Sequence, residues 1–143
     1  MQSTYENPWI LPTGRPLESE DVTDYVGMVY LIINKSNGRK YIGKKFFWST
    51  RKLPPLKGKK RKRTKKVESN WKDYYGSSSW LQDDISKLGH VNFERHVIKL
   101  CYTKTQCAYY ELKEQVDCEA ILTDEYYNDF IGGKINGKNL EKL

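Results

Sequence analysis

The sequence has few cysteines and no long apolar run, and each shortage excludes a class of protein. The three cysteines, Cys101, Cys107 and Cys118, are an odd number without CxxC spacing, which argues against a disulfide framework and against a zinc knuckle. No stretch approaches the roughly 18–20 apolar residues of a membrane span, and no basic-then-apolar leader opens the chain. We therefore expect a one-domain intracellular, cytoplasmic protein without a membrane partner.

Acidic residues are missing from one part of the chain. Residues 44–66 contain twelve Lys or Arg and no Asp or Glu, whereas the other 120 residues contain 13 basic and 18 acidic side chains. The net charge of +7 therefore arises from a local block of +12 against −5 elsewhere. Such a block typically binds a polyanion, most often nucleic acid. A nuclear-import signal at residues 59–63 and a solvated loop are the alternatives.

The N-terminal residues differ in composition from the rest. Residues 1–24 are polar, contain three prolines, and carry five acids against Arg15. They predict an extended arm that Trp9 attaches to the domain. Residues 25–143 then form the domain itself, with a flexible basic insertion at about 52–68.

Residues 28–34 and 39–45 predict a β-hairpin. Both runs are rich in strand-forming residues and flank Asn37-Gly38, a strong signal for a two-residue turn. A two-residue loop pairs Tyr30 with Lys45. Strand alternation then places Val29, Leu31, Ile33 and Ile42 on an apolar face and Tyr30, Tyr41 and Lys45 on a polar one, around Gly43, where a ligand has room to approach.

The remaining periodic segments complete an α/β (α+β) fold. Residues 93–101 predict a third strand, and Leu81, Ile85 and Leu88 predict a helix over 79–88. A second helix is expected over 104–121, with an apolar stripe of Ala108, Leu112, Val116 and Ala120 bordered by Glu111. The fold class is a three-stranded antiparallel sheet flanked by helices. His90 and His96 have no partner at metal-ligand or triad spacing and are interpreted as structural.

The hairpin resembles the signature of the GIY-YIG nuclease superfamily. Met28-Val29-Tyr30 is a degenerate first triplet, and Tyr41-Ile42-Gly43 is a perfect second triplet. Arg51, Glu111 and Asn128 follow in the family's order, so the resemblance covers about residues 27–130. The chain is similar to small phage-type, Seg-like homing endonucleases. An ordinary amphipathic hairpin with exposed tyrosines is the alternative interpretation.

The resemblance implies a metal-dependent DNA endonuclease with one Mg²⁺ or Mn²⁺ per site. It implies that Glu111 holds the ion, with Glu114 as its rival, and that Arg51 contacts the scissile phosphate from a helix after the second triplet. It also implies that Asn128 supports the site, with Asn136 and Asn139 as alternatives. We expect Tyr30 to accept a proton from the attacking water, Tyr41 to orient that water, and Lys45 to supply positive charge. The cations Lys44, Lys45 and Arg51 should favour the tyrosine anion.

Several expectations complete this interpretation. The family's histidine is absent, and Tyr74 or Tyr75 is a candidate to supply a hydroxyl near the phosphate. Double-stranded DNA is the expected partner, and a homodimer or a recruiting partner would help to select the target in a phage-infected bacterial host. A junction or flap nuclease and a catalytically inactive nucleic-acid-binding module are the alternatives. The candidate DNA-binding residues are Lys44, Lys57, Lys59, Lys60, Arg61, Lys62, Arg63, Lys65 and Lys66.

Overall fold

A computed structural model of the chain describes residues 5–129. They form a mixed α/β fold with an antiparallel sheet of order β2-β1-β5 and a separate two-stranded ribbon, β3-β4. No helix within this range is both long and apolar enough to cross a bilayer. The elements in chain order are β1 (Gly27–Asn34), β2 (Lys40–Phe46), β3 (Trp48–Leu53), β4 (Arg63–Glu68), α1 (Ser79–Leu88), β5 (Phe93–Cys101) and α2 (Lys104–Asp117).

The β1–β2 hairpin has a longer loop than predicted. Tyr30 pairs with Gly43 instead of Lys45, and the Asn34 amide donates to the Arg39 carbonyl at 2.8 Å, which leaves a four-residue loop. The Asn34 side chain supports this loop by accepting from the Ser36 amide at 2.9 Å. The pairing is displaced by two residues, so every side chain keeps its predicted face. Tyr30 and Tyr41 therefore lie on the same side of the sheet.

Both faces of the sheet are covered, which corrects the expected polar phenolic face. Met28, Tyr30 and Ile32 belong to the larger core, together with Trp9, Leu17, Phe47, Trp71, Leu81 and Phe93. On the opposite face, Val29 and Ile42 pack against Cys101 and Cys107. The face was expected to be open because the segments that cover it, including the N-terminal residues, are distant in sequence.

Residues 5–24 pack along the outer edge of β5. The Ile10 amide donates to the Arg95 carbonyl at 2.9 Å, and the Val97 amide donates to the Ile10 carbonyl at 2.8 Å. The Trp9 indole N–H donates to the Trp71 carbonyl at 2.7 Å. The segment therefore contributes both hydrogen bonds and a large buried side chain to the fold.

Arg95 holds this segment from inside the core. Only 1% of the residue is exposed, and its guanidinium lies between the rings of Trp9 and Tyr75, at 4.7 and 4.2 Å from their centroids. It donates to the Asn7 carbonyl at 2.6 Å and to the Tyr74 carbonyl at 2.9 Å. Burial lowers the pKa of Arg95. Backbone carbonyls thus satisfy a buried cation that the sequence pattern does not single out.

The basic insertion is ordered as a ribbon, and the helix predicted to carry Arg51 is absent. Arg51 lies in β3, paired with Lys65 of β4. Pro54-Pro55 prevents a helix from continuing past Leu53, and two contacts fasten the ribbon instead. The Trp48 indole donates to the Tyr25 carbonyl at 3.0 Å, and the Ser69 amide donates to the Phe47 carbonyl at 2.7 Å.

In both helices, one residue that apolar periodicity predicted to be buried is exposed. Helix α1 has the predicted bounds and the Ser78 cap, but Leu88 is 46% exposed. Helix α2 ends at Asp117, and its buried residues are Cys107 and Gln115. Val116, predicted to lie in the core, is 53% exposed. The packed face is rotated toward Glu111 because the Gln115 amide donates to the buried carbonyl of Ile42 at 3.1 Å.

Candidate active site

A cavity of about 520 Å³ lies along β2, which forms one edge of the three-stranded sheet. Alternation along this strand sends Tyr41 and Lys45 to one face of the sheet and Lys44 to the other. The cavity reaches around the edge and contacts both sets of side chains. Its lining residues are Tyr30, Tyr41, Lys44, Lys45, Phe46, Trp48, Ser49, Ser69, Ser77, Ser78, Glu111, Gln115, Asn128 and Asp129.

Tyr30 is nearly enclosed at the bottom of this cavity. The residue is 1% exposed, and its ring lies 6.2 Å from that of Tyr41 and 6.0 Å from that of Tyr74. A Cβ added at Gly43 would collide with the Tyr30 hydroxyl. The space at Gly43, expected to admit a ligand, is therefore occupied by a side chain of the protein itself.

The expected stabilisation of a tyrosine anion is wrong. Burial raises the pKa of Tyr30 well above its ordinary value, and the neighbouring phenols of Tyr74 and Tyr41 raise it further. Burial also raises the pKa of Tyr41, although its hydrogen bond with Ser77 acts in the opposite direction. Both phenols are thus protonated at neutral pH in the free protein.

The nearby cations do not offset this desolvation, because Lys44 and Lys45 contact other groups and Arg51 lies outside the cavity. Lys44 Nζ lies 3.2 Å from Glu111 Oε1. Lys45 Nζ lies over the Tyr74 ring, 4.3 Å from its centroid, and burial lowers the pKa of Lys45. Arg51 is exposed on the ribbon and is not among the residues that line the cavity. The predicted contact of Arg51 with a phosphate held in the cavity is not supported by this position.

Glu111 enters the cavity from α2, one turn after buried Cys107 and one turn before buried Gln115. Its side chain is 18% exposed and lines the cavity. Glu114, the rival residue, does not line the cavity. The helix therefore presents the carboxylate of Glu111, and not that of Glu114, to the edge of β2.

Asn128 fastens the strand that carries the tyrosine and both lysines. Its Oδ1 accepts from the Ile42 amide at 3.0 Å, and its Nδ2 donates to the Ile42 carbonyl at 2.8 Å. Asn136 and Asn139, the alternative asparagines, lie outside the described residues. Asn128 thus reaches the cavity as a partner of the β2 backbone.

The two accessory tyrosines have different surroundings. Tyr74 contacts Tyr30 and Lys45, as described above, and so adjoins the cavity. Tyr75 packs against Arg95 and accepts a hydrogen bond from Asn7 at 3.0 Å. The structure brings Tyr74 toward the candidate site and leaves Tyr75 in the core under the N-terminal segment.

Comparison with known proteins identifies the family. Residues 9–131 match the family model described as "Putative endonuclease segE, GIY-YIG domain". The chain belongs to the GIY-YIG family. Parallel searches of curated proteins and of solved structures return no match. Membership of the GIY-YIG family indicates a nuclease, and the sheet with its flanking helices is consistent with the fold of that family.

The GIY-YIG domain also contains cavity residues that the sequence did not identify. Ser77 Oγ lies 3.1 Å from the Tyr41 hydroxyl, and Ser78 caps α1. Gln115 and Asp129 add an amide and a second carboxylate. Gln115 could have been found from the sequence, because it lies four residues after Glu111 and therefore on the same side of the helix. In the sequence, Ser77 and Ser78 directly precede the helix predicted over 79–88, a position that indicates N-terminal capping and no catalytic role.

The protein side chains of this GIY-YIG cavity supply only part of the ligands that a divalent cation needs. Within residues 5–129 there is no group of three or more His, Cys, Asp or Glu that could hold a metal ion. The carboxylate of Glu111 lines the cavity and offers oxygen ligands. Mg²⁺ commonly binds through one or two carboxylates together with water and substrate phosphate. Glu111 is therefore suited to bind such an ion together with substrate phosphate, and Asp129 is a second carboxylate in the same cavity.

Proposed function

We propose that this protein is a metal-dependent endonuclease that hydrolyses phosphodiester bonds in double-stranded DNA. The observation that supports this proposal best is the cavity on the β2 edge, where the hydroxyl of Tyr41, the ammonium groups of Lys44 and Lys45, and the carboxylate of Glu111 converge. The cavity lies at the base of a ribbon that belongs to the strongly basic segment. Anionic substrate and cation-assisted chemistry both suit this combination.

Within the family, we place the protein among small phage-type, homing-like endonucleases that act inside a bacterial cell. A homodimer or a recruiting partner would supply target selection beyond the contacts of a single short domain. This assignment rests on the family match together with the basic block at residues 44–66.

The cavity residues would bind the scissile phosphate by charge and by neutral donors. Lys44 and Lys45 neutralise phosphate charge, and Lys44 can exchange Glu111 for a DNA phosphate because its side chain is 36% exposed. The hydroxyls of Tyr41 and Ser77 donate hydrogen bonds to non-bridging oxygens. The raised pKa of Tyr41 keeps its proton in place for this purpose. Donors that are already positioned stabilise the charge that develops during bond cleavage.

The other residues that the family resemblance names would position these phosphate-binding groups. Tyr30 acts as a protonated, buried phenol that supports Tyr41 and Tyr74, and Asn128 holds the β2 backbone. Glu111 would hold the single Mg²⁺ or Mn²⁺, which supplies charge stabilisation at the phosphate and the leaving oxygen. Lys45, held over Tyr74, stays directed into the cavity.

The proposal is tested by incubating purified protein with linear, supercoiled and branched DNA, with Mg²⁺, with Mn²⁺ and with EDTA. We expect metal-dependent cutting of plasmid and linear duplex and loss of cutting in Glu111→Gln. Mapping the ends of the products then defines the cut. Binding without cutting under every metal condition would identify an inactive nucleic-acid-binding module. Cutting confined to branched DNA would identify a junction or flap nuclease.

A further inference from the structure

The ribbon β3–β4 begins at the wall of the candidate active site. Trp48 and Ser49, the first two residues of β3, line the cavity. The two strands pair along all six residues, and at about 3.3 Å per residue they extend about 20 Å. A polyanion bound in the cavity would therefore lie next to the ribbon.

The two faces of the ribbon differ in composition. Strand pairing and alternation place Ser49, Arg51, Leu53, Arg63, Lys65 and Val67 on one face, here the Ser49 face. The opposite Trp48 face contains Trp48, Thr50, Lys52, Thr64, Lys66 and Glu68. The Glu68 carboxylate accepts from the Trp71 indole at 2.9 Å and from the Ser19 hydroxyl at 3.3 Å. The Trp48 face is thereby fastened to the domain at its base.

Among the residues that the structure describes, no carboxylate pairs with the cations of the Ser49 face. Arg51 and Lys65 are directly opposite each other across the ribbon, and Arg63 is opposite Leu53. Like charges directly opposite each other destabilise a strand pair. Within residues 5–129 none of these three cations forms a salt bridge with a carboxylate. An anion placed between Arg51 and Lys65 would remove the repulsion.

The cations of the Trp48 face have different neighbours. Lys66 Nζ packs over the Trp48 ring at 4.8 Å from the centroid, and the partners across the ribbon from Lys52 and Lys66 are the neutral residues Thr64 and Thr50. This face also contains Glu68, the one acid of the two strands. More positive charge without a nearby acid or aromatic ring therefore lies on the Ser49 face than on the Trp48 face.

We propose that the Ser49 face of the ribbon binds backbone phosphates of duplex DNA beside the cleaved bond, while the Trp48 face stays off the DNA. The proposal rests on the proposed function for the identity of the polyanion. A ribbon of about 20 Å covers about six base pairs at about 3.4 Å per nucleotide step. A two-stranded ribbon also fits the width of the major groove, so its cations can reach phosphates that flank that groove. Arg51 would contact a flanking phosphate and not the scissile one.

The test compares two double substitutions that remove equal charge from opposite faces. Arg51→Gln with Lys65→Gln changes the Ser49 face, and Lys52→Gln with Lys66→Gln changes the Trp48 face. Binding to a short duplex is measured in EDTA by fluorescence anisotropy over a range of salt concentrations. The slope of log K against log salt is negative, and each lost phosphate contact reduces its magnitude by about 0.9. We expect a loss of about 1.8 for the Ser49-face pair and the wild-type slope for the Trp48-face pair.

Two further measurements support the comparison. The charge-preserving variant Arg51→Lys with Lys65→Arg should keep the wild-type slope, and circular dichroism melts should show that all variants are folded. Equal losses from both faces, or no loss from either, would overturn the proposal. Plasmid cleavage by the wild-type protein is assayed separately. A face-selective slope without cleavage would support the ribbon assignment and refute the nuclease, whereas cleavage with equal slopes would do the reverse.

Discussion

The carboxamide of Asn128 binds both backbone polar groups of Ile42, so a side chain continues the hydrogen bonding of the β2 edge. The backbone of the same segment begins this pairing, because the Lys40 amide donates to the Glu125 carbonyl at 2.8 Å and the Tyr127 amide donates to the Lys40 carbonyl at 2.6 Å. Tyr41, Lys44 and Lys45 follow on the strand that is held in this way. We therefore propose that Asn128 positions β2 for the candidate site.

Replacing Asn128 should destabilise the protein. Asn128→Ala leaves the amide of buried Ile42 without its partner, and an unsatisfied buried group costs about 1–3 kcal/mol. Urea unfolding measures this loss. Asn37→Ala is the comparison, because Asn37 accepts from the Arg39 amide in the exposed hairpin loop. A loss for Asn128→Ala no larger than that for Asn37→Ala would contradict the positioning role.

Glu111→Gln should reduce cleavage by about 100-fold or more, the scale expected when one preorganised electrostatic group is lost. DNA affinity should be unchanged or slightly higher, since Lys44 loses its carboxylate partner and becomes available to phosphate. Cleavage rates and equilibrium binding are measured on the same duplex. Glu114→Gln is the matched control and should retain activity. Loss of cleavage in Glu114→Gln alone would show that Glu114 is the functional carboxylate.

The buried phenol of Tyr30 should make the protein less stable at alkaline pH. Its folded-state pKa is raised, so the stability it contributes is present below the unfolded pKa of about 10. Above that pH the unfolded chain releases a proton that the native state retains, and stability falls as the pH rises toward the folded pKa. For one such group the limit is about 1.36 kcal/mol per pH unit.

Urea unfolding from pH 8 to pH 11 measures this dependence. Tyr30→Phe should flatten the decline above about pH 10, because phenylalanine has no proton to release. Tyr109→Phe is the control, since Tyr109 lies on an exposed position of α2. Identical pH dependence in wild type and Tyr30→Phe would show that the Tyr30 phenol does not contribute to the loss of stability at alkaline pH.

Arg95→Ala should cost about 3 kcal/mol or more, because carbonyls of the N-terminal segment and of Tyr74 lose a charged donor whose hydrogen bonds contribute about 1.5–3 kcal/mol each. The N-terminal segment should also become sensitive to protease, which gel analysis of limited digests detects. Arg15→Ala, which breaks an exposed pair with Asp21, should leave both properties close to wild type. Full stability and protease resistance in Arg95→Ala would refute the role given to Arg95.

The faces of the central hairpin were predictable from sequence, whereas its register was not. Side chains alternate with a period of two, so the displacement by two residues kept Tyr30 and Tyr41 together. The register depended on the side-chain hydrogen bonds of Asn34 in the loop. The two triplets of the family signature could likewise be recognised in the sequence, followed in the family's order by Glu111 and Asn128.

The structure of the basic segment and the buried face of α2 required tertiary contacts. Charge density predicts that residues 44–66 bind nucleic acid, but a repeated Lys/Arg composition carries little strand signal. Pairing between β3 and β4, and the attachment of Trp48 to the domain, produced the ribbon. Apolar spacing placed Val116 in the core, whereas the amide of Gln115 was buried because the Ile42 carbonyl was available to accept from it.

The sequence by itself determined the hairpin faces, the location of the positive charge and the family. The tertiary structure decided which pKa values shift, which side chains line the cavity and where Arg51 lies. The reason is that desolvation depends on every segment that packs around a side chain. Residues 5–24, remote from the hairpin in sequence, help to cover Tyr30 and so help to keep its phenol protonated.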